Sequence, residues 1–246
     1  MNLILFEADA VQSDGTVCLT GACAQHLRDV LHAVPGQRIK TGVVDGAMGY
    51  SRVLTLSDNE VRLLPEHTLC APEPSFDLIL AVPRPKALKR LWPQLAAMGA
   101  GQIVLLNAYR VEKCYFSSHW LEPVFYRELL LEGLMQAGLT RMPAVRVCPR
   151  FKPFVEDELD AVFPTASRWL AHPGPLCRLE HEPSAGGRPL LAVGPEGGWT
   201  DYELGMLEAR DFQRFSLGAH TLRTDTACVA LIAILAYYKH VVIGIK

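Results

Sequence analysis

Leu190-Leu-Ala-Val-Gly-Pro-Glu-Gly-Gly-Trp-Thr-Asp-Tyr-Glu203 is the stretch on which the reading of this chain turns. It opens as a short apolar run, Leu190 to Val193, the pattern of a buried strand. It then breaks at Gly194-Pro195-Glu196-Gly197-Gly198. Three glycines allow backbone conformations closed to other residues and leave room for a ligand. Thr200 and Glu203 stand at capping-box spacing, which predicts a helix N-terminus. A loop between a strand end and a helix start is where open α/β sheets place ligands.

A second stretch, Phe215-Ser-Leu-Gly-Ala-His-Thr-Leu-Arg-Thr-Asp-Thr-Ala-Cys228, repeats this logic. Phe212 to Leu217 suits a strand, Gly218 a turn, and Leu222 to Thr226 leads into an apolar helix. Two readings are open on pattern alone: two ordinary turns of an α/β domain, or two loops facing one pocket, one of them carrying Arg223.

The chain has 246 residues, half of them hydrophobic and a fifth charged, enough for one large domain or two small ones. The net charge of −2 is uninformative, but its distribution is not. Residues 1 to 72 carry five basic and eight acidic side chains, whereas residues 84 to 152 carry eleven basic and four acidic. The second segment reads either as a phosphate-facing footprint or as solvated helix faces. The seven cysteines include no Cys-x-x-Cys pair and no zinc spacing, so reduced, mostly buried thiols in a cytosolic protein are expected. The N-terminus lacks a basic region and cleavage site, so no signal peptide is expected. The longest uncharged apolar run, Ala227 to Tyr238, is too short to span a bilayer and reads as a buried helix.

Residues 1 to 70 read as short strands and turns, with one helix over Ala24 to Leu31. The strand candidates are Val17 to Leu19, Arg38 to Val44, Arg52 to Leu56 and Val61 to Leu64. Asp14-Gly15, Pro35-Gly36 and Asp45-Gly46 mark turns, and a small β-barrel follows. Ala71-Pro-Glu-Pro74 reads as a linker. Strands and helices then alternate: Phe76 to Val82, Ala87 to Met98, Gln102 to Leu106, Leu121 to Ala137, Ala144 to Val147, Val155 to Ala161 and Arg168 to Ala171. That order argues a mostly parallel α/β sheet. Leu88, Leu91, Trp92, Leu95 and Met98 form one apolar helix face. Pro93 is expected to kink or shorten that helix, and Gly99 to cap it.

Gly194-Pro-Glu-Gly-Gly-Trp-Thr-x-x-Glu203, Leu217-Gly218 and Leu222-Arg-Thr-Asp-Thr-Ala227 together closely resemble the C-terminal signature of the RsmE family. These are bacterial methyltransferases of the SPOUT superfamily that methylate uridine N3 in small-subunit (16S) ribosomal RNA. The family usually has Glu where this chain has Asp225, which keeps the carboxylate and shortens it. Leu170-Ala-His-Pro173 resembles the family's first cofactor loop, and His26 to Gln37 its N-terminal PUA-like module, with His32 in place of a common Arg. The resemblance implies an α/β chain with a PUA-like RNA-binding β-barrel over 1–72 and a knotted SPOUT domain over 73–246. It further implies S-adenosyl-L-methionine held by His172, Gly194, Glu196, Gly197, Gly198, Leu217, Gly218 and Leu222. A homodimer through the C-terminal domain, a cytoplasmic location, and 16S ribosomal RNA or the small ribosomal subunit as partner are also implied. His172 reads equally as a loop hydrogen-bonder.

Methyl transfer from a sulfonium requires an in-line nucleophile and exclusion of water. Uridine N3 must also lose a proton, so a base, or a cation favouring the anion, is expected. Arg223 suits the cation, and Glu196 or Asp225 the proton acceptor; each also reads as a structural carboxylate or salt-bridge partner. Leu217 and Leu222 suit apolar walls. Gln94, Ala97, Met135 and Leu139 lie in segments where the family's charged pattern is neutral here. Two rival functions therefore stand: methylation of a different RNA, and a non-catalytic RNA-binding or assembly protein of the same fold. Walker, dinucleotide-binding and nucleophile-elbow motifs are missing, which argues against nucleotide hydrolases, Rossmann dehydrogenases and α/β-hydrolases.

Overall fold

The structure, a computed structural model, describes residues 2–174, 187–218 and 220–238. The chain divides into two compact units, Met1–Glu73 with Leu131–Met142, and Pro74–Leu130 with Pro143–Lys246.

The first unit holds β1 (Ile4–Phe6), β2 (Val17–Thr20), α1 (Gly21–Asp29), β3 (Arg38–Val43), β4 (Met48–Leu56) and β5 (Glu60–Leu69). Its sheet runs β1-β3-β4-β5-β2, with β1 parallel to β3 and the other pairs antiparallel. The arrangement is barrel-like but open, because β1 and β2 are its two edges. Register shifts between Met48 and Gly49, and between Val53 and Thr55, bend β4 as bulges do. Gly15 and Gly36, at φ of 77° and 86°, make two of the expected turns, and Asp45 at φ 58° makes the third. Ile4, Phe6, Val17, Leu19, Leu27, Ile39, Val53, Val61 and Leu63 fill the core. Strand β1 has no counterpart in the sequence reading, since three consecutive buried apolar residues carry no period. The end of the long third helix also belongs to this unit. Asn2 and Leu3 donate backbone N–H bonds to Met135, and Asp45 donates one to Thr140.

The second unit holds β6 (Phe76–Ala81), α2 (Pro85–Ala97), β7 (Ala100–Leu106), most of α3 (Pro123–Ala137) and β8 (Ala144–Cys148). There follow α4 (Phe151–Pro153), a π turn at Phe154–Glu158, α5 (Leu159–Val162), β9 (Ser167–Ala171) and β10 (Pro189–Val193). The last elements are α6 (Asp201–Glu208), β11 (Gln213–Phe215) and α7 (Thr224–Tyr237). All six strands are parallel, in the order β11-β9-β10-β6-β7-β8. Strands β6 and β10 lie inside the sheet and are buried at every residue. That is why they read as mostly apolar runs rather than alternating ones. The exception, Asp77 in β6, is buried and paired with Arg188 at 3.1 Å.

Helix α2 turns Leu88, Leu91, Trp92 and Leu95 inward, each fully buried. It runs on through Pro93 to Ala97, so the proline does not shorten it there. Gly99, at φ 80°, follows its end as expected. Helix α7 begins at Thr224, three residues ahead of the apolar run Ala227 to Tyr238 read as a buried helix, and packs on α2 and β10. The segment read as Val155 to Ala161 is instead divided by the π turn between α4 and α5. Among the six described cysteines only Cys148 and Cys228 are buried, while Cys70 and Cys114 are exposed. The expectation of mostly buried thiols is corrected accordingly; Cys177 lies outside the described residues. No described helix is long and apolar enough to cross a membrane.

Candidate active site

Strands β11, β9 and β10 are neighbours and parallel, so their C-terminal ends lie side by side. The loops leaving those ends contribute His172 and Pro173, Gly194–Trp199, and Ser216–Gly218 with His220–Leu222. Together with Ala227 and Leu231 of α7 they line one cleft of about 320 Å³. This is the scale of small-molecule sites. His172, Gly194, Glu196, Gly197, Gly198, Leu217, Gly218 and Leu222 all line it. Arg223 and Asp225 are not among its lining residues; they flank Thr224, which is.

The central loop is held from both ends. Thr200 caps α6, its side chain accepting from the Glu203 N–H while the Glu203 carboxylate accepts from the Thr200 N–H. The other Glu203 oxygen accepts the Tyr109 N–H at 2.8 Å, so this buried carboxylate is satisfied on both oxygens. Arg110 donates to the carbonyls of Gly197 (2.5 Å) and Trp199 (3.3 Å). The glycines are not equivalent. A Cβ on Gly194 would meet the Trp199 indole at 3.0 Å, and one on Gly197 would meet the Arg110 side chain at 3.1 Å. Gly198 has φ 73°, a left-handed conformation that costs other residues energy.

The third loop is tied to the first by Ser216. Its hydroxyl donates to the Gly174 carbonyl at 2.9 Å and accepts the Gly218 N–H at 3.0 Å. Two buried polar atoms of the lining, His172 Nδ1 and Trp199 Nε1, have no hydrogen-bond partner among the described residues. Buried polar groups are normally paired, so unpaired ones beside a cleft call for a partner, and a polar ligand in the cleft is one that would serve. Burial and the Arg214 charge hold the His172 imidazole below its ordinary pKa, against the opposing pull of Glu208 and Asp201.

The carboxylates and Arg223 take distinct places. Glu196 accepts the Arg84 N–H at 3.0 Å, at the N-cap of α2. Asp225 accepts from Arg90 at 2.6 Å and lies 3.5 Å from Arg223. Burial opposes its ionisation. The Arg90 hydrogen bond, the Arg223 charge and the Thr226 N–H outweigh that and hold the carboxyl below its usual range. A carboxylate so held is a weak base. Its place in the first turn of α7 also suits the helix dipole. The Arg223 side chain is 73% exposed, so its long contact to Asp225 leaves most of the guanidinium open. Sequence reasoning missed Arg110 and Arg84, because a residue a hundred positions away announces itself by no local pattern.

A model of the RNA methyltransferase domain matches residues 71–236. The chain is 26% identical to ribosomal RNA small subunit methyltransferase E of Treponema pallidum, over 98% of this chain and 92% of that one. It is also 26% identical to ribosomal RNA small subunit methyltransferase E 1 of Borreliella burgdorferi, over 62% and 63% of the two chains. A similar fold is seen in the crystal structure of ribosomal RNA small subunit methyltransferase E from Neisseria gonorrhoeae bound to S-adenosyl methionine. The TM-score is 0.74 and identity 23%, over 96% and 97% of the chains.

Proposed function

The chain belongs to the RNA methyltransferase domain family, and from that premise we propose that it methylates N3 of a uridine in 16S ribosomal RNA with S-adenosyl-L-methionine. The observation that carries this reading is the single cleft built by three neighbouring strand-end loops. The cofactor, when bound, supplies an electrophilic methyl group. The residues present fit it: glycine backbone at Gly194 and Gly218, apolar walls at Leu217 and Leu222, and unpaired ring nitrogens on His172 and Trp199.

In this reading Arg223 stabilises the uridine anion from which N3 attacks, as a preorganised cation beside the cleft. Asp225 stays ionised between Arg90 and Arg223 and positions them. Glu196 lines the cleft, with one oxygen engaged by Arg84, and is the carboxylate left to take the N3 proton. The first unit acts as an RNA-gripping PUA-like module in a two-domain enzyme divided near residue 72. Two copies pair through α7, whose Ile234 and Tyr237 are exposed in the single chain, and the enzyme works in the cytoplasm.

The reading is tested by incubating the protein with small-subunit RNA, and separately with assembled subunits, in the presence of methyl-labelled cofactor. A methyl group on N3 blocks the pairing edge of uridine and stops reverse transcription. Label incorporation with a new stop supports the proposal. Label elsewhere supports a different RNA target, and no label with normal cofactor binding defeats it.

A further inference from the structure

A second groove lies across the glycine loop from the cleft, in the same unit of the fold. It has a volume of about 650 Å³ and is lined in part by Tyr109, Lys113, Arg150, Lys152 and Tyr202. We propose that it is a second nucleotide subsite, receiving a base next to the target in single-stranded RNA. This rests on the RNA-methylating reading above.

Three observations carry it. The groove presents aromatic surface to solvent: Tyr109 is 85% exposed and Tyr202 60% exposed. A ring so exposed contributes little to a core, whereas unstacked bases dock on such faces whatever their sequence. The charge is one-sided. Lys113 and Arg150 make no ion pair or hydrogen bond among the described residues, and Lys152 has only a 3.7 Å contact to Glu156 on the next turn. The one carboxylate of the lining, Glu203, is buried and fully engaged by Thr200 and Tyr109. The groove is thus complementary to a phosphate.

The third observation is position. Trp199 lines the first cleft, Thr200 lines the second groove, and the Trp199 ring lies 5.9 Å from Phe151 in the groove wall. One loop, clamped by Arg110 and Glu203, therefore separates the two. A strand with one base extruded into the cleft carries its neighbour close to the groove. Methylating enzymes must take the target base out of its stack, and a site for the adjacent base holds the strand open.

The test uses the full chain, end-labelled oligouridine, and the same strand paired with oligoadenine. Tyr109→Ala/Tyr202→Ala is expected to weaken oligouridine binding about ten-fold, on the scale of lost base stacking, with little change for the duplex. Lys113→Ala/Arg150→Ala is expected to flatten the dependence of affinity on salt, by about 0.7 per lost phosphate contact for a single strand. Cofactor affinity should stay unchanged in both, which separates this site from the cleft. Equal losses for single strand and duplex overturn the proposal, as does unchanged oligouridine binding. If wild-type protein methylates no uridine while the binding losses hold, the function above fails and the subsite stands.

Discussion

Arg110 and Gly197 are 87 residues apart, yet the guanidinium of one donates to the carbonyl of the other at 2.5 Å. Its second bond, to the Trp199 carbonyl, fixes the far end of the same loop. Arg110→Ala should therefore leave the fold intact and loosen the glycine loop. Arg110 is exposed, so solvent screening reduces the bond's worth, and a loss of about 1 kcal/mol in cofactor binding is expected. Calorimetric titration with the cofactor checks this; unchanged affinity means that the loop is rigid without its clamp.

Gly194 and Gly197 should respond differently to alanine. The new methyl at Gly194 meets the rigid indole of Trp199, whereas at Gly197 it meets the flexible Arg110 stem. Gly194→Ala is expected to cost roughly 1–3 kcal/mol, the range for overpacking, and to abolish cofactor binding. Gly197→Ala should lose several-fold in affinity. Thermal unfolding and cofactor titration of the pair decide the order.

Arg223→Ala should fold normally, since the side chain is largely in solvent. If the guanidinium stabilises the uridine anion, the barrier rises by about 2–4 kcal/mol with cofactor affinity preserved. Lysine should restore only part, lacking the planar fork. Single-turnover methylation measures this, and a wild-type rate in the alanine variant removes Arg223 from the chemistry.

His172 carries the expected pH dependence. Its folded-state pKa lies below the ordinary 6.5, so above 6.5 the imidazole is neutral in both folded and unfolded chains. As pH falls below 6.5 the unfolded chain takes up the proton first, and stability is lost until the folded value is passed. His172→Asn should remove that part of the slope. Denaturant midpoints of both proteins between pH 7.5 and about 5 test it, and parallel curves would falsify the buried-neutral assignment.

Helix α7 buries Cys228, Leu231, Ile232 and Leu235 within the chain and leaves Ile234 and Tyr237 exposed on another face. If two copies cover that face, Ile234→Glu places a charge in the interface and should yield monomers in light scattering. A wild-type monomer at micromolar concentration, fully active, sinks the dimer.

Local pattern alone determined much of this protein. Short, mostly apolar runs located β6, between Pro74 and Pro83, and β10, ahead of Gly194, because strands covered on both faces need no alternation. Thr200 and Glu203 marked the start of α6, because a capping box is complete within four residues. The glycine loops were legible as loops for the same reason, while their convergence on one cleft was left open by pattern and came with the strand order. Tertiary structure alone decided what crosses the fold. It bound Glu196 to Arg84, drew Asp225 to Arg90, and set Arg110 against Gly197. It also enrolled residues 131–142 in the first unit and divided the helical stretch after β8 with a π turn. These partners stand far apart in the chain or obey no fixed period. Their meeting follows from the parallel strand order and the path of the loops, neither of which a local spacing encodes.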